Sequence, residues 1–127
     1  MSSYKSTLAR AQGLGSAKSG SHHWWMQRVT AAALVPLTFY IIKFLSLCVT
    51  ASFAEVMGWL NAPVNSVMIL FWMTLVLYHA ALGLQVVFED YVSTTALRIV
   101  LVWTVNLIFL FFTLTAFFAI FRIISAG

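Results

Sequence analysis

Three long hydrophobic stretches dominate this chain of 127 residues, and almost no charge interrupts them. They cover residues 29–51, 64–88 and 97–121, with Lys43 as the only charge in the first and Arg98 near the start of the third. A helix needs about 20 predominantly apolar residues to cross the hydrocarbon core of a bilayer. The pattern therefore predicts an all-α integral membrane protein with three transmembrane helices at these positions.

The first 28 residues have a different composition, which is polar, basic and free of acidic residues. They contain no apolar run of the kind that a signal peptide requires, and they fit the composition of a transit peptide only loosely. A positively charged flank of the first helix explains the same residues. We therefore predict two regions, a cytoplasmic arm over residues 1–28 and a three-helix membrane anchor over residues 29–127.

Lysine and arginine lie mainly on one side of the predicted spans. The four basic residues of the arm and Arg98 fall on the side of the N-terminus, whereas the tail after the third span contains Arg122 alone. Cytoplasmic loops of membrane proteins carry the excess of Lys and Arg. The N-terminus is therefore predicted to lie inside and the C-terminus outside.

Composition excludes several other classes of protein. Hydrophobic residues make up 62% of the chain and charged residues 8%, against about 25% charged residues in a soluble domain. A soluble domain of this length could not bury so much apolar surface, and a disordered chain would be far more polar. The single cysteine, Cys48, excludes a disulfide within the chain. The sequence shows no nucleophile–base pair and no phosphate-binding loop, so we expect no catalytic residue. The basic arm before Trp24 is too short and too poor in aromatic residues to bind nucleic acid, so we expect no nucleic-acid partner.

His79 is the most informative polar residue, because it lies deep in the second predicted span. It precedes Asp90 by eleven residues, which is about 16 Å of helix. Ionisable groups inside the membrane are rare and usually functional. Two interpretations remain: a structural histidine that donates one hydrogen bond to a neighbouring helix, or an axial ligand of a haem iron. Gly83, one turn further on, leaves room for a flat macrocycle and equally suits close helix packing.

A second polar group closes the same span. Asp90 projects within about 20° of His79 around the helix axis, and Glu89 and Tyr91 flank it. A helix C-terminus disfavours negative charge, so these acids indicate either a solvated helix end or a functional site. The Tyr91 hydroxyl is a donor suited to a carbonyl oxygen of a ligand.

A third polar group precedes the first span. His22, His23 and Arg28 fit ordinary interfacial polarity, or Arg28 holds an anionic group such as a propionate or a lipid phosphate with its planar donor fork. Both histidines lie at the predicted membrane surface, so the second ligand of a haem on His79 is expected from another chain. Interhelical hydrogen bonds are expected from four polar residues of the third span: Thr104, Asn106, Thr113 and Thr115.

Two stretches of the chain resemble a known family. HAALGLQVVFEDY, from His79 to Tyr91, and GSHHWWMQR, from Gly20 to Arg28, are similar to the hydrophobic membrane anchor of succinate dehydrogenase, respiratory complex II, in its alphaproteobacterial form. The resemblance extends over roughly residues 20–123, nearly the whole chain. It implies a location in the bacterial cytoplasmic (inner) membrane, with the mitochondrial inner membrane less favoured.

The resemblance also implies cofactors, partners and residue roles. His79 matches an axial ligand of a haem b that is shared with a second anchor protein of the cytochrome b type. Arg28 matches a residue near the haem propionates and the quinone, and His22 matches a histidine of the haem region. Tyr91 matches the hydrogen-bond donor to ubiquinone, with Asp90 setting its environment. The remaining implied partners are an iron–sulfur protein, a flavoprotein and membrane lipid.

The expected function is therefore to anchor a succinate:ubiquinone oxidoreductase and to help form its haem and quinone sites, in the respiratory chain and the tricarboxylic acid cycle. The chain alone is expected to have no activity. Two alternatives stay open at this point. One is the anchor of a fumarate reductase that uses menaquinone, and the other is a non-redox small membrane subunit in which His79 is structural.

Overall fold

The computed structural model describes residues Lys18–Ala126, and it contains four helices in this range. They are α1 (Lys18–Thr50), α2 (Phe53–Asn61), α3 (Pro63–Tyr91) and α4 (Thr95–Ala126). No strand occurs in the described part of the chain. Three of the helices, α1, α3 and α4, are long and apolar enough to cross a membrane. The predicted all-α class with three spans is confirmed, and the chain is a multi-pass membrane protein.

The first helix begins earlier than the hydrophobic pattern predicts. It starts at Lys18 rather than at Val29, so the last part of the predicted arm is helical, while residues 1–17 lie outside the described residues. The hydrophobic stretch marks the part of a helix that suits lipid, and it gives no information on where the helical hydrogen bonding starts. With 33 residues, α1 is about 50 Å long, well beyond the hydrocarbon thickness of about 30 Å. Helices α3 and α4 likewise extend past the predicted ends of the second and third spans.

The stretch between the first two spans forms a short helix, which the sequence pattern does not predict. Ser52 caps α2: its hydroxyl accepts a hydrogen bond from the backbone N–H of Glu55 at 3.4 Å, and its own backbone N–H donates to Glu55 Oε2 at 2.8 Å. This reciprocal arrangement is a capping box. The Ser52 hydroxyl also donates to Glu55 Oε2, at 2.7 Å.

These contacts lower the pKa of the Glu55 carboxyl. The hydrogen bond from the Ser52 side chain has the largest effect and that from the Ser52 backbone the next, while burial has a smaller effect in the opposite direction. Because the pKa is lower in the folded chain than in the unfolded chain, the contribution to stability is present above the unfolded pKa. It is lost as the pH falls through the folded value.

Helix α3 lies between the other two spans. It packs against both α1 and α4, whereas the backbones of α1 and α4 do not approach each other closely within the described residues. The result is a layer of helices with little interior, and the bundle leaves most apolar side chains exposed. The buried hydrophobic residues among those described are Leu37, Ile41, Leu60, Ala81, Leu82 and Ile120. So large an apolar surface requires lipid or partner helices to cover it.

The two ends of this layer differ in their polar contacts. We call the end where α1 begins and α3 ends the N-side, and the end that holds α2 the C-side. At the C-side, the Tyr40 hydroxyl donates to Asn65 Oδ1, and the Asn65 amide donates to the Trp59 carbonyl at 2.7 Å. Phe44 stacks on Trp59 with ring centroids 5.0 Å apart. These contacts join α1, α2 and α3 into one unit.

The polar residues of α4 do not behave as the sequence predicts. The hydroxyls of Thr104, Thr113 and Thr115 donate to carbonyls four residues earlier in their own helix, at 2.7–2.8 Å. The expectation of interhelical bonds from these three residues is wrong, because a threonine in a helix can satisfy its hydroxyl locally. Hydrogen bonds between spans instead join α1 to α3, as between Trp72 Nε1 and Thr38 Oγ1 at 3.1 Å.

Candidate functional site

His79 contacts the first helix through a hydrogen bond. Its Nδ1 atom lies 2.8 Å from the hydroxyl oxygen of Thr30, and Thr30 is only 2% exposed. Nε2, the other ring nitrogen, has no hydrogen-bond partner among the described residues. The bond to Thr30 is the interhelical contact that a structural histidine would make. It also leaves Nε2 available to a ligand, so both interpretations of His79 are compatible with it.

An open groove beside His79 offers space in which a ligand could bind. It has a volume of about 400 Å³, lies along α1, and includes His79 of α3 in its lining. Grooves of about 300–1,000 Å³ with apolar walls and few polar groups suit cofactors and other small ligands. Apart from His79, the lining is apolar or weakly polar: Ala31, Leu34, Val35, Thr38, Phe39 and Ile42. An apolar groove with one histidine fits a planar, largely apolar ligand that takes one nitrogen donor.

Arg28 lies at the N-side of this groove. At about 100° per residue, it projects within about 20° of Val35 and Phe39 around the α1 axis, and both of these residues line the groove. Its guanidinium carbon sits 4.4 Å from the centre of the Trp24 ring, which directs the charge toward the N-side. The Arg28 side chain is exposed. A cation in this position suits the carboxylates of a groove ligand or the phosphate of a lipid.

The two adjacent histidines of α1 point in different directions. His22 is exposed and projects about 170° away from the middle of the groove, by the same estimate of about 100° per residue. His23 is half-buried and projects toward α3, on the face that carries Gln27 and Thr30. His23 precedes Thr30 by seven residues, about 10 Å along the axis. This separation agrees with the expectation that neither histidine is a second ligand to an iron on His79.

Two buried polar atoms on this face lack a hydrogen-bond partner. They are Nε2 of His23 and Oε1 of Gln27. Buried polar atoms in folded proteins are normally paired with protein, water or a ligand. A β-carbon placed on Gly83 would lie 3.5 Å from Gln27 Nε2, an ordinary contact distance. Gly83 therefore lies near α1, and the space at this position would also accommodate a β-carbon.

The predicted quinone residues lie at the N-side end of α3. Asp90 is exposed, and Tyr91, the last residue of the helix, is 84% exposed. Asp90 shares a face of α3 with His79, which contacts α1. Glu89 instead accepts a hydrogen bond from Gln85 Nε2 at 2.8 Å. The Tyr91 hydroxyl is therefore free to reach a group that lies outside this chain.

Sequence reasoning missed Thr30, Gln27 and the buried face of His23. These three residues follow the spacing i, i+4, i+7 that places side chains on one face of a helix. The signal is present in the sequence, but it is visible only if the helix is extended back to Lys18. A prediction that starts the helix at Val29 separates Thr30 from the other two.

No three His, Cys, Asp or Glu side chains of the described residues come together as a metal site. A haem iron, however, takes only one side chain from each of its two faces, and His79 meets that requirement. Fold and site thus define a multi-pass membrane subunit in which one histidine faces a groove along a spanning helix.

Comparison with known proteins identifies the family. The model of the succinate dehydrogenase/fumarate reductase transmembrane subunit matches residues 2–120. The chain belongs to this family. The family predicted from the sequence is therefore confirmed.

Individual relatives agree with this assignment. The succinate dehydrogenase hydrophobic membrane anchor subunit of Rickettsia bellii is 41% identical over 115 residues, which cover 90% of both chains. The corresponding protein of Rickettsia conorii has the same identity and coverage. The succinate dehydrogenase membrane anchor subunit of Reclinomonas americana is 34% identical over 94 residues, which are 72% of this chain and 78% of its own. No solved structure matches the chain.

Proposed function

We propose that this chain is the membrane anchor of a succinate:ubiquinone oxidoreductase in a bacterial inner membrane, and that it forms part of a haem b site and a ubiquinone site. The observation that carries the proposal is the position of His79, which is bonded to α1 through Nδ1 and lines an open apolar groove. The relatives named above are anchors of succinate dehydrogenase, which favours succinate oxidation over fumarate reduction.

The residues of the groove fit a haem. His79 would hold the iron through Nε2, and the apolar residues from Ala31 to Ile42 would lie against the ring. Arg28 would hold the propionates through charge-assisted hydrogen bonds. A bound haem b supplies a one-electron redox centre in the membrane. The chain itself provides binding, orientation and a low-dielectric environment.

The quinone site lies at the N-side end of α3. Tyr91 donates a hydrogen bond from its hydroxyl to a carbonyl oxygen of ubiquinone, which holds the ring in position. Asp90 directly precedes Tyr91 and would contribute to the polar environment of this hydrogen bond. Since Tyr91 is 84% exposed, the remaining walls of the site come from partner chains.

The exposed apolar surface supports an assembly with further membrane chains. A second membrane anchor would cover part of this surface and would provide the other residue that holds the haem. An iron–sulfur protein covers the N-side and delivers electrons from the flavoprotein that oxidises succinate.

Copurification tests the assembly directly. A tagged form of the chain, expressed in its own membrane and purified in mild detergent, is expected to bring down a flavoprotein, an iron–sulfur protein and one further anchor in equal amounts. The isolated complex is expected to reduce ubiquinone with succinate. Recovery of the chain without a flavoprotein, or with activity only for fumarate and menaquinol, would contradict the proposal.

The orientation is a separate prediction. With Arg98 and the four basic residues among residues 1–28 on one side, we expect the N-terminus to lie inside and the C-terminus outside. A reporter that is active only in the periplasm should give signal when fused after Ala126 and none when fused within the Val92–Thr94 loop. The reverse pattern of signals would show the opposite topology.

A further inference from the structure

We propose that Thr30 is a positioning residue that fixes the tautomer and the ring orientation of His79, so that Nε2 of the histidine is the atom offered to the groove. The inference rests on the proposed function, because it assigns a role to Thr30 in preparing a haem ligand. It assigns no contact between Thr30 and the haem.

The assignment follows from the single proton of the threonine hydroxyl. Thr30 Oγ1 lies 2.7 Å from the Met26 carbonyl oxygen, 3.1 Å from the Gln27 carbonyl oxygen and 2.8 Å from His79 Nδ1. A carbonyl oxygen can only accept, so the hydroxyl proton points to Met26 or Gln27. The lone pair of Oγ1 then accepts from Nδ1, which must carry the proton of the imidazole.

This arrangement makes two hydrogen bonds, whereas the alternative makes one. If the hydroxyl donated to Nδ1, its oxygen would lie close to the carbonyl oxygens of Met26 and Gln27 with no hydrogen bond between them. With Nδ1 protonated, the neutral ring keeps its lone pair on Nε2, which is the form that coordinates a metal. Metal-bound histidines almost always donate their other ring N–H to a fixed acceptor in this way.

Thr30 is well placed to hold the ring still. It is 2% exposed, and Leu37 and Ile41, which follow it on the same face of α1, are 6% and 7% exposed. The acceptor therefore sits on a packed helix face and not on a mobile loop. Rotation of the imidazole would break the 2.8 Å bond and leave a half-buried N–H without its partner.

The hydrogen bond also affects the electronic properties of the ligand. Donation of the Nδ1 proton to Oγ1 makes the imidazole a stronger electron donor, which favours the ferric over the ferrous iron. Loss of the bond is expected to raise the reduction potential of the haem. It also frees the ring plane to turn, which alters the g-values of the low-spin ferric signal.

The test compares three variants of the intact complex. Thr30→Val keeps the shape and removes the hydroxyl, and Thr30→Ser restores it. Thr113→Val is the matched control, because Thr113 makes the same bond to the carbonyl four residues earlier, at 2.8 Å, with no histidine bonded to its hydroxyl. In each we measure haem per flavin, the reduction potential and the electron paramagnetic resonance spectrum.

Thr30→Val is expected to lower the affinity for haem by about 10–100-fold, as removal of such a supporting contact does, to raise the potential, and to shift the g-values. Thr30→Ser and Thr113→Val should match the wild type. Should the valine variant fail to assemble, Thr30→Ala removes the same hydroxyl from a smaller side chain and carries the same expectation. If Thr30→Val and Thr30→Ala both keep the wild-type g-values and reduction potential, the proposed role of Thr30 is wrong, while the proposed function of the chain is unaffected. A wild-type complex without haem would overturn the proposed function as well.

Discussion

Replacement of His79 by alanine is expected to remove the b-type haem signal from the purified complex. In the wild type, the reduced-minus-oxidised optical spectrum should show the band of a six-coordinate haem b. The alanine variant has no nitrogen donor among the side chains that line the groove, and neither histidine of α1 comes close to the position of His79. Loss of an axial ligand should reduce the affinity for haem by more than the roughly 10–100-fold that loss of a supporting contact costs.

His22→Ala is the matched control for this experiment. His22 is exposed and projects away from the groove, so its removal should leave the spectrum unchanged. A band that survives unchanged in His79→Ala would contradict the ligand assignment and favour a structural histidine. If the band is lost in both variants, copurification of the flavoprotein distinguishes the causes: its retention would show that His22 also supports the haem, and its loss would show that the complex fails to assemble.

The second large effect is expected from Tyr91→Phe, which removes one hydroxyl and leaves the ring in place. Loss of a hydrogen bond to a bound polar group costs about 1–3 kcal/mol, so quinone reduction by succinate should fall on the order of tenfold. Oxidation of succinate by an artificial acceptor that takes electrons from the soluble partners should stay at the wild-type rate. Both rates are measured on the same membrane preparation.

Tyr78→Phe makes the same chemical change elsewhere on α3. Tyr78 lines a cleft between α3 and α4, well away from the N-side end of the helix. It should retain both activities. An equal loss of the two activities in Tyr91→Phe would point to misassembly, and full retention of quinone reduction would remove Tyr91 from the site.

Much of the fold can be predicted from the sequence, because the membrane imposes a length and a composition on each span. The three spans appear as apolar stretches, and all three are helices of the structure. The ends of the helices and α2 are not visible in this way. The length of an apolar stretch reflects the thickness of the hydrocarbon core. Helix α1 extends beyond this stretch to Lys18 through mostly polar residues that are helical but would lie outside the hydrocarbon core. The α2 helix depends on the capping box of Ser52 and Glu55.

The sequence predicts which residues belong to the candidate site, but it does not predict most of the contacts that they make. His79 stands out because ionisable residues are rare in a span, and the resemblance adds Arg28, Asp90 and Tyr91. The contact with Thr30 could not be predicted, because it depends on the register between α1 and α3. The threonines of α4 show the same limit, since local bonding replaces the interhelical bonds expected of them.

The most direct test of the central claim is a map of the intact, purified complex by cryo-electron microscopy at a resolution that shows side chains. The account predicts a planar macrocycle in the groove beside α1, with its iron bonded to Nε2 of His79, its propionates at Arg28, and its other face bonded to a residue of the second anchor. A groove filled by lipid or by an apolar partner helix, with His79 bonded only to Thr30, would contradict it.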